Sequence, residues 1–432
     1  MRRNIVHPGA DELHYEIRGI VDFAEALAET GIAITWENIG DPIMKGEQVP
    51  LWIREIIADE VRNNVFSYAY SPTKGLQAAR DWLAVDRSKQ GTELKAENIL
   101  FFNGLGDAIN KAYTWLHPQA RVLGPNPAYP THSAVEAAHA HSPHLTYQLD
   151  PKNHWLPDMA QIRHMVQTNE SITALLMINP DNPTGTVYPR ALLEEFIAIA
   201  KEYKLFLIAD EIYANLTHHQ PDFVSLGAIT TDVPMIIMRG LSKEIPWPGS
   251  RCGWLEFYNL ESDENFARYA KSIEEAKMTE VCSTTLPQSV LPKILDDPRY
   301  RPHLEKRRKK YAARAAEAVA AFAQHPCLDA VLPKGAFYQA ITFSDRMLEK
   351  PFVAAAANLR AQALLDIALE AIPKSSFDKR FCHQLLAATG VCTVPLTTGF
   401  NSSTPGFRIT LLEEDDATFT KTLQVISDFV TP

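Results

Sequence analysis

The sequence predicts an α/β fold built on a mostly parallel sheet with helices on both faces, and three observations carry that prediction. From Glu97 onward, short apolar segments of strand length alternate with helical patterns. Three of these segments, residues 174–178, 205–208 and 235–238, are continuously apolar rather than alternating, as strands covered on both faces must be. Each ends in residues suited to hold a ligand, and open parallel sheets bind ligands beyond the carboxyl ends of their strands. At 432 residues the chain exceeds one ordinary core, so a larger and a smaller domain are expected.

Composition narrows the function classes. Hydrophobic residues make up 46% and charged residues 22%, the balance of a folded globular protein rather than a disordered one. A net charge of −10 argues against a general nucleic-acid binder. Residues 1–7 carry charges with no apolar stretch behind them, unlike a secretory signal, and no run of about 18 apolar residues predicts a membrane span. The five cysteines are scattered without C-x-x-C spacing, which fits reduced thiols and a cytoplasmic location.

Taken in order, residues 21–29 read as a helix stopped by Gly31, followed by an extended piece from Ile32 and a turn over Asn38-Ile39-Gly40-Asp41-Pro42. A second turn, with Tyr70, Pro72 and Gly75, leads into a helix over 77–85. The strand at 99–102 runs into Asn103-Gly104-Leu105-Gly106-Asp107, with a helix expected from about Ala108. A glycine-bearing turn before a helix offers free N–H groups and a positive dipole end, a cradle for phosphate. It lacks the third glycine of a dinucleotide fingerprint.

The strand at 121–124 ends in a proline-rich turn containing Tyr129. His132, His139, His141 and His144 follow with no acidic or cysteine partner at ligand spacing, so they read as a solvated helix and its exit loop rather than a metal site. Residues 174–178 lead to Asn179-Pro180-Asp181-Asn182-Pro183-Thr184-Gly185, a rigid turn with two Asn-Pro pairs. Residues 205–208 lead to Asp210 and Tyr213; a carboxylate at the end of a buried strand is costly unless it meets a positive partner.

Residues 235–238 lead to Gly240-Leu241-Ser242-Lys243, with Arg251 eight residues on. Lysine forms a Schiff base with an aldehyde, and a serine and an arginine beside it can hold a phosphate. Further on, residues 302–324 read as a long helix whose basic run at 306–310 is expected to be a solvated face. Residues 345–380 look like an insertion, and Arg408 lies in an apolar strand where an arginine needs an anion.

The Asn-Pro turn, Asp210 followed by Tyr213, and the lysine segment, in this chain order, resemble the class I/II aminotransferases, pyridoxal-phosphate enzymes of fold type I. The resemblance runs from about Leu13 to the C-terminus, and its first part, through Tyr15, Arg18 and Gly40, is similar to the bacterial alanine aminotransferase group. It implies a seven-stranded large domain over residues 51–300. It also implies a small α+β domain over 301–432, to which residues 1–50 contribute an arm and a part. It implies a pyridoxal 5'-phosphate aldimine on Lys243. The phosphate would lie at Asn103, Gly104, Leu105, Ser242 and Arg251, with Tyr70 entering from the other subunit of a homodimer. Tyr129 would stack on the ring, Asn182 and Tyr213 would bond its phenolic oxygen, and Asp210 its nitrogen.

Lys243, Asp210 and Tyr213 are then the catalytic residues. Gly40, Asn182 and Arg408 would receive the substrate carboxylate, while Tyr15 and Arg18 close the pocket. The implied reaction passes the amino group of an L-amino acid, alanine in the first instance, to a 2-keto acid such as 2-oxoglutarate, through a pyridoxamine phosphate intermediate. Neither nucleic acid nor membrane is an expected partner, and no metal is expected. The sequence departs from the family in two places: Asn103 stands where serine or threonine is commoner, and residues 278–288 contain no arginine for a distal carboxylate, which leaves Arg18 as the candidate. A C–S lyase of the same fold is the alternative. So is a non-catalytic cofactor-sensing regulator, although there is no room before Tyr15 for the helix-turn-helix domain such proteins carry.

Overall fold

The computed structural model describes residues 5–13, 16–219, 223–323, 325–349 and 352–431. Their strands, in chain order, begin with β1 (Thr35–Trp36), β2 (Ile99–Asn103), β3 (Arg121–Asn126), β4 (Leu145–Asp150) and β5 (Leu156–Pro157). Next come β6 (Ile172–Ile178), β7 (Phe206–Asp210), β8 (Met235–Gly240) and β9 (Cys252–Tyr258). The last five are β10 (Leu328–Ala330), β11 (Tyr338–Phe343), β12 (Val391–Cys392), β13 (Val394–Pro395) and β14 (Gly406–Thr410).

The large sheet has the order β2-β9-β8-β7-β6-β3-β4-β5. Strands β8, β7, β6, β3 and β4 pair in parallel; β9 runs against both β2 and β8, and the two-residue β5 runs against β4 at the edge. Seven strands of the expected sheet are thus joined by one short edge strand. Every residue of β8 and β9 is buried, which explains why their sequences do not alternate. Ile178 stands opposite Asp210, and Asp210 opposite Met238, so the carboxyl ends of β6, β7 and β8 lie side by side.

A second, antiparallel sheet has the order β10-β11-β14-β13 and carries Arg408 on β14. The N-terminal part packs on the C-terminal part: β1 pairs with β12, and the Phe23 ring stacks on His383 at 4.8 Å between centroids. Within residues 345–380 lie the helices Asp345–Leu348 and Leu359–Ala371 and the start of Phe377–Thr389, with Ala361, Leu365 and Phe381 in the core. Among the described residues no helix is long and apolar enough to cross a membrane.

The helix Tyr300–Phe322 corrects one expectation. Its buried stripe includes Leu304, Arg307, Tyr311, Arg314, Ala318 and Phe322, so Arg307, inside the basic run, faces inward. It is 4% exposed, whereas the run was expected to be a solvated face.

Candidate active site

The strand ends place the candidate residues. Beyond β8, the four-residue helix Leu241–Glu244 carries Lys243, whose Nζ donates to the Gly40 carbonyl at 2.8 Å. Gly40 is brought there by the N-terminal segment, and it has no room for a side chain: a Cβ would collide with the Tyr338 hydroxyl. Beyond β6, the Asn-Pro turn is braced from within. Asp181 Oδ2 accepts from the Thr184 amide at 3.0 Å and hydroxyl at 2.5 Å, and Asn179 Oδ1 accepts from the Tyr188 amide at 3.0 Å. Burial pushes the Asp181 carboxyl up to about 7.

That turn presents Asn182, whose Oδ1 accepts from Arg408 Nη1 at 3.3 Å. Arg408 Nη2 donates to the Asn38 carbonyl at 2.5 Å, and its guanidinium lies over the Tyr338 ring at 4.4 Å and the Phe400 ring at 5.0 Å. An arginine flanked by two aromatic faces is held flat, the geometry that receives a carboxylate side-on.

Asp210 ends β7, 2% exposed. Its Oδ1 accepts from the Ile212 amide at 3.1 Å, and its Oδ2 lies 3.2 Å from His132 Nε2. His132 Nδ1 is in turn 3.2 Å from the Tyr113 hydroxyl. His132 is 1% exposed, which overturns its reading as a solvated helix residue. The helix Pro130–Ala140 starts just after Tyr129, so position 132 falls on its inner face, toward β7. The other three histidines lie apart: His139 Nε2 contacts the Ala120 carbonyl at 3.2 Å, and burial pushes His144 down to about 4. Among the described residues no three His, Cys, Asp or Glu side chains converge as metal ligands would.

Tyr213 and Tyr338 share a hydrogen bond of 3.1 Å between their hydroxyls. Burial first, then the neighbouring Tyr338 phenol, push the Tyr213 phenol well above its ordinary value, so it remains a donor at neutral pH. Tyr338, the first residue of β11, therefore touches three candidate residues: Tyr213, Gly40 and Arg408.

An anion cradle forms where β2, β9 and the lysine segment meet. The helix following β2 is Leu105–Thr114, three residues earlier than expected. Its N-cap Gly104 has φ +88° and no capping side chain, which leaves the first N–H groups of the helix without an internal partner. A Cβ on Gly104 would collide with the Arg251 guanidinium, and one on Gly253 would stand 2.8 Å from the Leu105 nitrogen. Arg251 Nη2 donates to the Asn103 carbonyl at 3.3 Å, and Ser250 Oγ is buried without a hydrogen-bond partner among the described residues. The Asn103 side chain is engaged on the other side, its Oδ1 accepting from the Thr284 amide at 3.0 Å and hydroxyl at 3.2 Å. Ser242 and Leu105 are both half-buried.

A planar cofactor carrying a phosphate fits this set. The orphaned Ser250 hydroxyl and the glycine-lined helix end would take the phosphate, half-buried Tyr129 would cover a ring, and Asp210 would face a ring nitrogen. Tyr70 stands apart from the cluster, 83% exposed beside Phe66 at 76% and Tyr68 at 71%. Tyr15 lies outside the described residues; Arg18 lies in the helix Glu16–Ala28, with its side chain also outside them.

The sequence model of aminotransferase class I and II matches residues 38–426. The chain belongs to this family. As an aminotransferase it is 47% identical over 423 residues to an uncharacterized aminotransferase of Methanocaldococcus jannaschii, a match covering 97% of this chain and 96% of that one. It is 30% identical over 282 residues to a glutamate-pyruvate aminotransferase of Escherichia coli, covering 64% of this chain and 67% of the relative. Among solved structures, an alanine aminotransferase from Pyrococcus furiosus has the same fold, with a TM-score of 0.84, 24% identity and 99% of each chain covered. The aminotransferases of this family depend on pyridoxal phosphate, the planar phosphorylated aldehyde that the cradle and strand ends fit.

Proposed function

We propose that this aminotransferase exchanges the amino group of a small L-amino acid, alanine first, with 2-oxoglutarate, using pyridoxal phosphate on Lys243. One observation carries the reading. Lys243 Nζ and the Arg408 guanidinium both bond to carbonyls of one short segment, those of Gly40 and Asn38. An amine nucleophile and a carboxylate clamp held two residues apart on one segment suit the amino and carboxylate ends of an α-amino acid. The name of the Escherichia coli relative supports glutamate and pyruvate as the pair.

When bound, the cofactor supplies a ring that accepts the electrons left on the substrate Cα. The protein's residues do the rest. Arg408 and Asn182 hold the α-carboxylate, and Asp210, oriented by His132, keeps a positive charge on the ring nitrogen. Lys243 Nζ would take the proton from the substrate Cα and hold it for return. The Tyr213 hydroxyl donates to the phenolic oxygen.

We assign exposed Tyr70, with its apolar neighbours Phe66 and Val65, to contact with a second copy, whose site Tyr70 would reach. Light scattering of the holoprotein is expected to return the mass of two chains; the mass of one chain would remove this assignment.

The reading of the substrate is tested by a panel of amino acids mixed with holoenzyme and followed by conversion of the cofactor to its amino form. Alanine and glutamate are expected to convert it without releasing ammonia, and pyruvate or 2-oxoglutarate to restore it. Ammonia release with a β-thio amino acid, and no conversion with alanine, would favour lyase chemistry instead. In the same panel, Arg18→Ala is expected to slow glutamate and 2-oxoglutarate more than alanine and pyruvate. Equal losses would make Arg18 a closing residue rather than a reader of the distal carboxylate.

A further inference from the structure

On the reading of Lys243 given above, we propose that Arg307, held by Glu47 and Tyr311, is a positioning residue for Lys243. It fixes the peptide from which the lysine hangs and ties that peptide to the N-terminal segment that receives the lysine's amine.

The helix Leu241–Glu244 cannot hold itself. A helix leaves its last four carbonyls without internal partners, and this helix has only four residues. Its C-cap Ile245, at φ −101° and ψ 36°, does not adopt the left-handed conformation that closes many helix ends. Arg307 supplies the missing donors from another element: Nη1 donates to the Lys243 carbonyl at 2.6 Å and to the Glu244 carbonyl at 2.9 Å.

The guanidinium is fixed from its other side. Its Nη2 donates to Glu47 Oε2 at 3.0 Å and to the Tyr311 hydroxyl at 2.9 Å, and its Nε lies 2.5 Å from Glu47 Oε1. The Tyr311 hydroxyl donates to the same Glu47 Oε2 at 3.0 Å. Arg307, Tyr311 and Glu47 are 4%, 0% and 9% exposed, so the pair has given up most of its water. A buried ion pair is weak as a source of stability, and its planar fork is strong as a source of fixed geometry.

Glu47 closes a loop of contacts. The segment that ends in Glu47 also carries Gly40, the acceptor of Lys243 Nζ. Between them Lys45 donates to Glu37 at 3.0 Å, Glu413 at 3.1 Å and the Trp36 carbonyl at 3.0 Å, which pins the segment. One segment therefore meets Lys243 at its amine through Gly40 and at its carbonyl through Glu47 and Arg307. Movement of that segment displaces the amine and its anchor together. Misplacement of a reacting group by about 1 Å costs roughly 100-fold in rate.

The test compares holoenzymes of the parent, Arg307→Lys, Glu47→Gln, and the doubly neutral Glu47→Gln/Arg307→Gln, which leaves no lone buried charge. The double variant is expected to lose roughly 10–100-fold in kcat with little change in KM for alanine. Its isotope effect with α-deuterated alanine should rise, because proton transfer by Lys243 becomes slower than the other steps. Arg307→Lys should recover part of the loss, since one ammonium can reach one carbonyl but cannot hold two and a carboxylate. In the full-length protein without cofactor, hydrogen exchange should quicken at the amides of residues 241–245 and stay unchanged in β6 to β8. A double variant that folds with parent-like kcat, isotope effect and exchange would overturn the proposal, as would a lowered melting temperature with kcat intact, which would make the pair a structural tie only. Covalent attachment of the cofactor to a residue other than Lys243 in the parent would instead overturn the reading of the site, and this inference with it.

Discussion

Lys243→Ala is expected to leave the protein folded and to reduce transamination by roughly 10⁴-fold or more. The lower bound is the upper range for one positioned proton-transfer group. The loss should exceed it because the same side chain also forms the covalent link to the cofactor. The fold should survive because the side chain is half-buried and its amine makes one hydrogen bond, to the Gly40 carbonyl, with Phe337 beneath it at 5.8 Å. The backbone of residue 243 stays capped by Arg307 in the variant. Phosphate contacts at Ser250, Arg251 and the Leu105–Thr114 helix end should still retain cofactor. Steady-state rates together with thermal melting check this, and a variant with parent turnover would refute the role of Lys243.

The second large effect is expected at Asp210. Asp210→Asn keeps the shape of the side chain and an oxygen able to accept from the Ile212 amide, so the carboxyl ends of β6 to β8 should not move. What is lost is the negative charge that stabilises a protonated ring nitrogen. The rate should fall by roughly 10²–10⁴-fold, with an altered absorbance spectrum of the bound cofactor. His132→Gln should produce a smaller fall, because it removes the partner that orients Asp210 and leaves the charge in place. An asparagine variant with parent rate and spectrum would place Asp210 away from the ring.

The parts of this site that the sequence displays are those set by neighbouring residues. Continuous apolar strands ending in Asn182, Asp210 and Lys243 are local patterns, and strand ends in a parallel sheet share one edge. His132 was not legible because its meaning comes from Asp210, 78 positions away, while in the sequence it is one of four histidines between positions 132 and 144. Arg307 was hidden by its company: in a run of five basic residues, the one that faces inward is revealed only by its spacing from Leu304 and Tyr311. The early start of the Leu105–Thr114 helix was obscured by the glycine at 106, which propensity counts against a helix and an open N-terminus tolerates. Tyr338 carries no local signal, because its contacts with Gly40, Tyr213 and Arg408 exist only once three distant segments meet.

Reduction of the holoprotein with borohydride followed by peptide mass mapping tests whether Lys243 carries the cofactor. Reduction makes a lysine-to-cofactor linkage permanent, so the added mass marks the residue. The mass is expected on the peptide containing Lys243 and on no other lysine. The mass on the peptide of Lys45 or Lys277, two other lysines buried in the protein, or on no peptide at all, would contradict it.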